Sequence, residues 1–328
     1  MDKKIFRHFY ENYLHSTEFR EWQNNLTNKL YRILQNNLRA NEVTTVTELC
    51  EGLNSEKYRG ITIASYKIHG SKSYVDFNYK GQETKKELAD MVIISVITYE
   101  GRPLVSKTAL IQNKKWSRET TWDIDQEQLY LLMNFPTFDG LSKRIGKVEN
   151  NAFLNRSGTL GNYGLFTSDG EFVLTTAKSV FCQQVNKTLK FDDIKKYEIS
   201  ASAENFTPLF SNHPYVEDYY YHFRKYQDAY LFRNPHPFAS NYSIALNAHE
   251  FIRNLTTFNI GETSFSFDVF HDMNLQIFTE RILYTAFANT SEDIRNSLDF
   301  KTQNWEEKIE GNFSVIKVQM ELNSDFNH

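Results

Sequence analysis

The sequence predicts an α/β fold in which a mixed central sheet is flanked by helices. Three stretches carry this prediction: amphipathic helical spacing over 18–38, a β-branched run over 91–98 that is apolar on both faces, and helical spacing again over 125–134. A run apolar on both faces suits a central strand covered on each side.

The first helix has Ser16 or Thr17 as its N-cap and an apolar stripe of Phe19, Trp22, Leu26, Leu30, Ile33 and Leu34. Strands over 61–68 and 74–79 follow, separated by the polar turn His69-Gly70-Ser71-Lys72. A charged loop over 80–87 leads into the central strand. The turn Glu100-Gly101-Arg102-Pro103 returns the chain through 104–111 as a hairpin. The helix over 125–134 ends at Phe135-Pro136. Beyond it, Gly161-Asn162-Tyr163-Gly164 reads as a turn before a strand, residues 213–238 are dense in aromatic and charged side chains, and two helices are expected over 247–255 and 276–287.

At 328 residues the chain exceeds the usual size of one hydrophobic core. A soft boundary at 145–155 divides it into a core over 1–150 and an α+β region over 151–328, suited to recognising substrate or partners. Apolar residues at 40% against only Pro 6 and Gly 13 argue for an ordered chain. No apolar run approaches the roughly 20 residues of a membrane helix, and the N-terminus lacks the apolar stretch of a secretory signal. A cytoplasmic protein without membrane contact is expected. Cys50 and Cys182 are too few and too far apart for a disulfide framework or a thiolate zinc site, so both are read as small buried apolar residues. With a net charge of −4, nucleic-acid binding would need a local basic patch. No nucleotide-binding Gly-rich loop, serine-hydrolase elbow or His-Glu-x-x-His spacing is present.

The chemistry-bearing residues sit at the two ends of the central hairpin: Asp90 before the outgoing strand, and Gln112-Asn113-Lys114-Lys115 closing the returning one. A three-residue loop, Gly101-Arg102-Pro103, would set Asp90 opposite Lys114 and Gln112 opposite residue 92. Asp90, Gln112 and Lys114 then share one face. A two-residue loop would place Asp90 opposite Asn113, on the wrong face. Pro103 has no N–H to give a ladder, which favours the three-residue loop. The Asp90 carboxylate, the Gln112 side chain and the Asn113 carbonyl are hard oxygen donors suited to Mg²⁺ or Mn²⁺. Lys114 beside them suits orientation or deprotonation of an attacking water.

Asp90, a strand hairpin and then Gln-x-Lys at 112 and 114 resemble the PD-(D/E)XK nuclease superfamily, over roughly residues 18–138. The resemblance implies a restriction-endonuclease-like fold and Mg²⁺-dependent hydrolysis of DNA, with RNA as the alternative substrate, in restriction or antiphage defence. It also raises a helicase or ATPase partner subunit and a homodimer. The sequence departs from the pattern in having Gln112 at the third acidic position and Ala89 where Pro is usual. In that superfamily a preceding helix often offers a further side chain to the site. Gln23, closer to the centre of the apolar stripe than Glu18 or Glu21, is the candidate, and Gln23-Asn-Asn-Leu-Thr27 is similar to a Glu-x-x-Leu-Thr pattern in related nucleases. Gln126-Glu-Gln-Leu-Tyr130 resembles the Gln-x-x-x-Tyr helix of the RecB-like branch. Lys107, Lys114, Lys115 and Arg118, with Trp116 and Trp122, would form a basic and aromatic surface for a phosphate backbone and its bases. The two glutamines also fit a catalytically silent module that binds nucleic acid or a partner protein, and the same composition suits a purely structural interaction protein.

Overall fold

The computed structural model describes residues 16–67, 74–116, 121–140, 146–150, 152–155, 158–195, 245–266, 272–287 and 314–322. Helix α1 (Thr17–Asn36) starts where Ser16 Oγ accepts from the Phe19 N–H, as its sequence predicts. Helix α2 (Glu42–Leu53) is capped by Asn41, whose Oδ1 accepts from the Thr44 N–H, and buries Val46, Leu49, Cys50 and Leu53.

Strands β1 (Glu56–Tyr58), β2 (Ile61–Lys67) and β3 (Tyr74–Tyr79) follow, then β4 (Gln82–Glu87), β5 (Met91–Tyr99) and β6 (Arg102–Lys115). The stretch over 80–87, expected as a loop, is thus mostly strand. Its backbone pairs with β3 along its whole length, although its charged side chains carry no apolar alternation. After β7 (Thr121–Asp123), helix α3 (Gln126–Asn134) is capped by Asp125 and stopped by Phe135 in the left-handed region (φ 44°).

The remaining elements are β8 (Phe138–Gly140), β9 (Lys147–Val148), β10 (Gly161–Phe166), β11 (Phe172–Thr176), α4 (Ala177–Gln183), β12 (Thr188–Lys190) and α5 (Phe191–Lys195). They are followed by β13 (Ala245–Asn247), α6 (Ala248–Thr256), β14 (Glu262–Ser266), α7 (Met273–Phe287) and β15 (Ser314–Leu322). Residues 161–164 are therefore the first part of strand β10 and not a turn. The aromatic stretch over 213–238 lies outside the described residues. Cys50 is buried as expected, whereas Cys182 is exposed, on the outer side of the short helix α4.

Among the described residues the fold is a mixed α/β arrangement around a nine-stranded mixed sheet, ordered β1-β2-β15-β5-β6-β10-β11-β13, with β14 against the first half of β6. Strand β15 runs parallel to β5 and separates it from β2, while β10 runs parallel to the second half of β6. Strands from both sides of the expected boundary at 145–155 thus hydrogen-bond into one sheet. Two apolar layers cover it. Val92, Ile94, Leu110, Tyr163 and Leu165 face α3 and α7. Met91, Ile93, Ala109, Ile111 and Ile316 face α1, α2 and α6. Full burial of each large apolar side chain contributes about 1.5–3 kcal/mol, so these layers fix the strand ends that carry the site. Among the described residues no helix is long and apolar enough to cross a membrane.

The hairpin register corrects the expected three-residue loop. Glu100 (φ 48°) and Gly101 (φ 75°) form a two-residue turn of the primed type favoured by strand twist. Pro103 lies in the ladder opposite Thr98, Val105 opposite Ile97, and Leu104 between them is the extra residue of a bulge. That extra residue restores the parity lost by the shorter turn. Asp90, one step before Met91 opposite Ile111, therefore comes to face Gln112 and not Lys114.

Candidate functional site

Asp90 is held by backbone bonds on both sides: its N–H donates to the Ile111 carbonyl (3.0 Å), and its carbonyl accepts from the Ser314 N–H (3.0 Å). Its carboxylate turns to the end of β6, where Oδ2 accepts from Gln112 Nε2 (2.5 Å) and from the Asn113 N–H (2.6 Å). Gln112 Oε1 is buried and has no partner among the described residues. Lys114, two residues further, shares this face. Its ammonium is 3.7 Å from Oε1 of Glu42 at the start of α2. The other carboxylate oxygen, Oε2, accepts from the Lys115 N–H (3.0 Å).

Sequence reasoning missed Glu42. Its signal was local: Asn41 as a cap, followed by apolar residues at Val46, Leu49, Cys50 and Leu53. Its neighbourhood to Asp90 comes only from the packing of α2 across the strand ends.

Burial pushes the Asp90 carboxyl up to about 7, with the Glu42 charge adding to the rise and the Asn113 N–H and Lys114 opposing it. Glu42 is likewise raised by burial, against the pull of Lys114 and the Lys115 N–H. Two carboxylates are thus each disfavoured as anions near the Lys114 ammonium.

The other predicted residues are placed elsewhere. Gln23 is buried on the α1 side of the sheet, and its Nε2 donates to Thr256 Oγ1 of α6 (2.7 Å). It supports helix packing on the layer opposite the face of Asp90. Lys115 points to the end of α1, where Nζ donates to the carbonyls of Asn37 (2.6 Å) and Ala40 (2.5 Å). A cation there satisfies helix-terminal carbonyls and complements the dipole. Gln126 pairs its amide with Gln184 (2.7 and 3.2 Å), and Tyr130 packs on Phe77 and Tyr79. Both are engaged in packing α3.

Trp122 is fully buried with Nε1 donating to the Phe166 carbonyl (3.1 Å), and partly buried Trp116 stacks edge-on against it. These indoles belong to the core beside Phe191. Lys107 is buried within the sheet and does not form an outer basic surface. Arg118 lies outside the described residues. Of the predicted set, Asp90, Gln112, Asn113 and Lys114 come together.

No protein-family model, curated protein or solved structure matches this chain.

Among the described residues, no group of three or more His, Cys, Asp and Glu side chains is arranged to hold a metal ion. The oxygen donors at these strand ends are the carboxylates of Asp90 and Glu42 and the orphaned amide oxygens of Gln112 and Asn113. Their chemistry fits a hard divalent cation, which would relieve two partly buried charges and satisfy an orphaned amide oxygen at once.

Proposed function

We propose that this chain is a Mg²⁺- or Mn²⁺-dependent nuclease that hydrolyses DNA phosphodiester bonds on a restriction-endonuclease-like core. One observation carries the reading: Asp90 and Gln112 face each other across adjacent strands, with Lys114 and Glu42 closing the same end of the sheet. RNA carries the same phosphodiester chemistry and is the alternative substrate.

On this reading, Asp90, Gln112 Oε1 and Glu42 would hold the cation, which when bound supplies charge neutralisation and a water of lowered pKa. Asp90 keeps Oδ2 engaged with Gln112 and the Asn113 N–H, so the strand ends stay in register and Oδ1 would be the oxygen offered to the cation. Lys114, part-exposed and lightly held by Glu42, turns to the scissile phosphate and offsets the negative charge that builds as water attacks.

The lack of a three-carboxylate group among the described residues, with Gln112 in place of an acid, favours a second reading: a silent module of the same shape that binds nucleic acid or a partner protein. The two readings separate in one experiment. Linear, circular and single-stranded DNA are incubated with the wild type, Asp90→Ala and Lys114→Ala in Mg²⁺ and then in Mn²⁺. The nuclease reading expects wild-type cleavage that is lost in both variants. Salt-sensitive DNA binding without cleavage by any of the three would replace it with the silent module.

A further inference from the structure

The polar row at the site continues past Gln112. Tyr163 on β10 is the in-register parallel partner of Gln112, so Asp90, Gln112 and Tyr163 stand side by side on one face of three adjacent strands. Tyr163 is fully buried, yet its hydroxyl has no hydrogen-bond partner among the described residues. Gln112 Oε1 beside it is in the same condition. Buried polar groups are nearly always satisfied, by protein or by ordered water. Here one orphan is a donor and its neighbour an acceptor.

Burial, with the carboxylates of Asp125 and Asp90 nearby, pushes the phenol up from its ordinary value, so it keeps its proton. An ordered buried water needs two to four polar partners. The Tyr163 hydroxyl and Gln112 Oε1, on in-register neighbours, supply two.

We propose that Tyr163 is a positioning residue of this site, its hydroxyl holding an ordered water against one lone pair of Gln112 Oε1 and leaving the other lone pair to the bound cation. The cation rests on the function proposed above. A glutamine amide has two orientations, and only the one with Nε2 on Asp90 turns its oxygen to the site. Water donated to by Tyr163 and donating to Gln112 Oε1 fixes that orientation. Sequence spacing gave no reason to join Tyr163 to the site, because a parallel partner one crossover away is invisible to local pattern.

The test uses Tyr163→Phe, which removes one oxygen and keeps the ring. Thermal melting in chelator comes first, then Mn²⁺ titration followed by the electron paramagnetic resonance of the free ion, with Asp90→Ala alongside. Tyr163→Phe is expected to melt a few degrees below the wild type and to bind Mn²⁺ about ten-fold more weakly, the loss typical of a group that orients a metal site from behind. A higher melting temperature would mean the hydroxyl was dry and unsatisfied, and would overturn the water site whatever the metal does. Wild-type affinity in Tyr163→Phe with loss in Asp90→Ala would overturn the positioning role and leave the cation reading standing. Absence of any Asp90-dependent Mn²⁺ binding in the wild type would overturn both.

Discussion

Replacing Asp90 with Asn should stabilise the folded chain at neutral and alkaline pH, although it removes the central carboxylate of the site. The folded protein holds the Asp90 proton up to about 7, against an ordinary value of 3.8. The unfolded chain therefore releases its proton first. Stability falls as pH rises through this window, and the whole penalty is present above it. At ~1.4 kcal/mol per pH unit the ceiling is about 4 kcal/mol. Part of Asp90 still meets solvent, which retains some hydration, so the expected gain is about 2–4 kcal/mol at pH 8. The substituted amide keeps an oxygen for the Asn113 N–H. Urea unfolding of wild type and Asp90→Asn in chelator, at pH 4 and pH 8, gives the difference for Asp90 together with its coupling to Glu42, since groups away from the site titrate alike in both. A difference that is the same at both pH values would refute the burial argument. Mg²⁺ should then stabilise the wild type and leave the variant unmoved.

Two further predictions concern groups outside the site. Burial lowers the Lys107 ammonium to about 8, with Glu262 opposing the shift. The folded state therefore gains stability as pH rises through and beyond 8. Lys107→Met should be about 1–3 kcal/mol more stable than wild type at pH 7, with the gap closing toward pH 10 in urea melts. A Cβ at Gly161 would lie 2.0 Å from the Leu132 carbonyl oxygen. Gly161→Ala should cost about 1–3 kcal/mol, read as a lower urea midpoint, because backbone and not a flexible side chain must move.

Local features were legible in the sequence and long-range ones were not. Ser16 as a cap, the bounds of β3, the buried β5 and the helix after Asp125 all follow from signals within a few residues. The turn residues predicted a hairpin, but its register depended on the bulge at Leu104, which no local rule marks. The helical wheel placed Gln23 on the buried side of α1, as found, yet it could not say that α6 rather than the site would receive it. Strand β15 alternates apolar and polar residues plainly enough. Its insertion between β2 and β5 is a pairing across more than 200 residues of chain, which periodicity cannot address.

On the proposed reading, glutamine rather than an acid at 112 has a physical consequence beyond lower affinity for a cation. A carboxylate there would face Asp90 across the hairpin, and two anions at hydrogen-bond distance repel. The amide instead donates to Asp90 and helps lock the strand ends without any ion present. The second charge then comes from Glu42, on a helix that packs over the same end. Asp90, Glu42 and Lys114 together carry one net negative charge when both acids are ionised. On the proposed reading, a divalent cation reverses that sign and a phosphodiester returns it to neutral. On that reading the donor set would be balanced for one cation and one phosphate, and a second divalent ion would leave the centre with two unmatched positive charges.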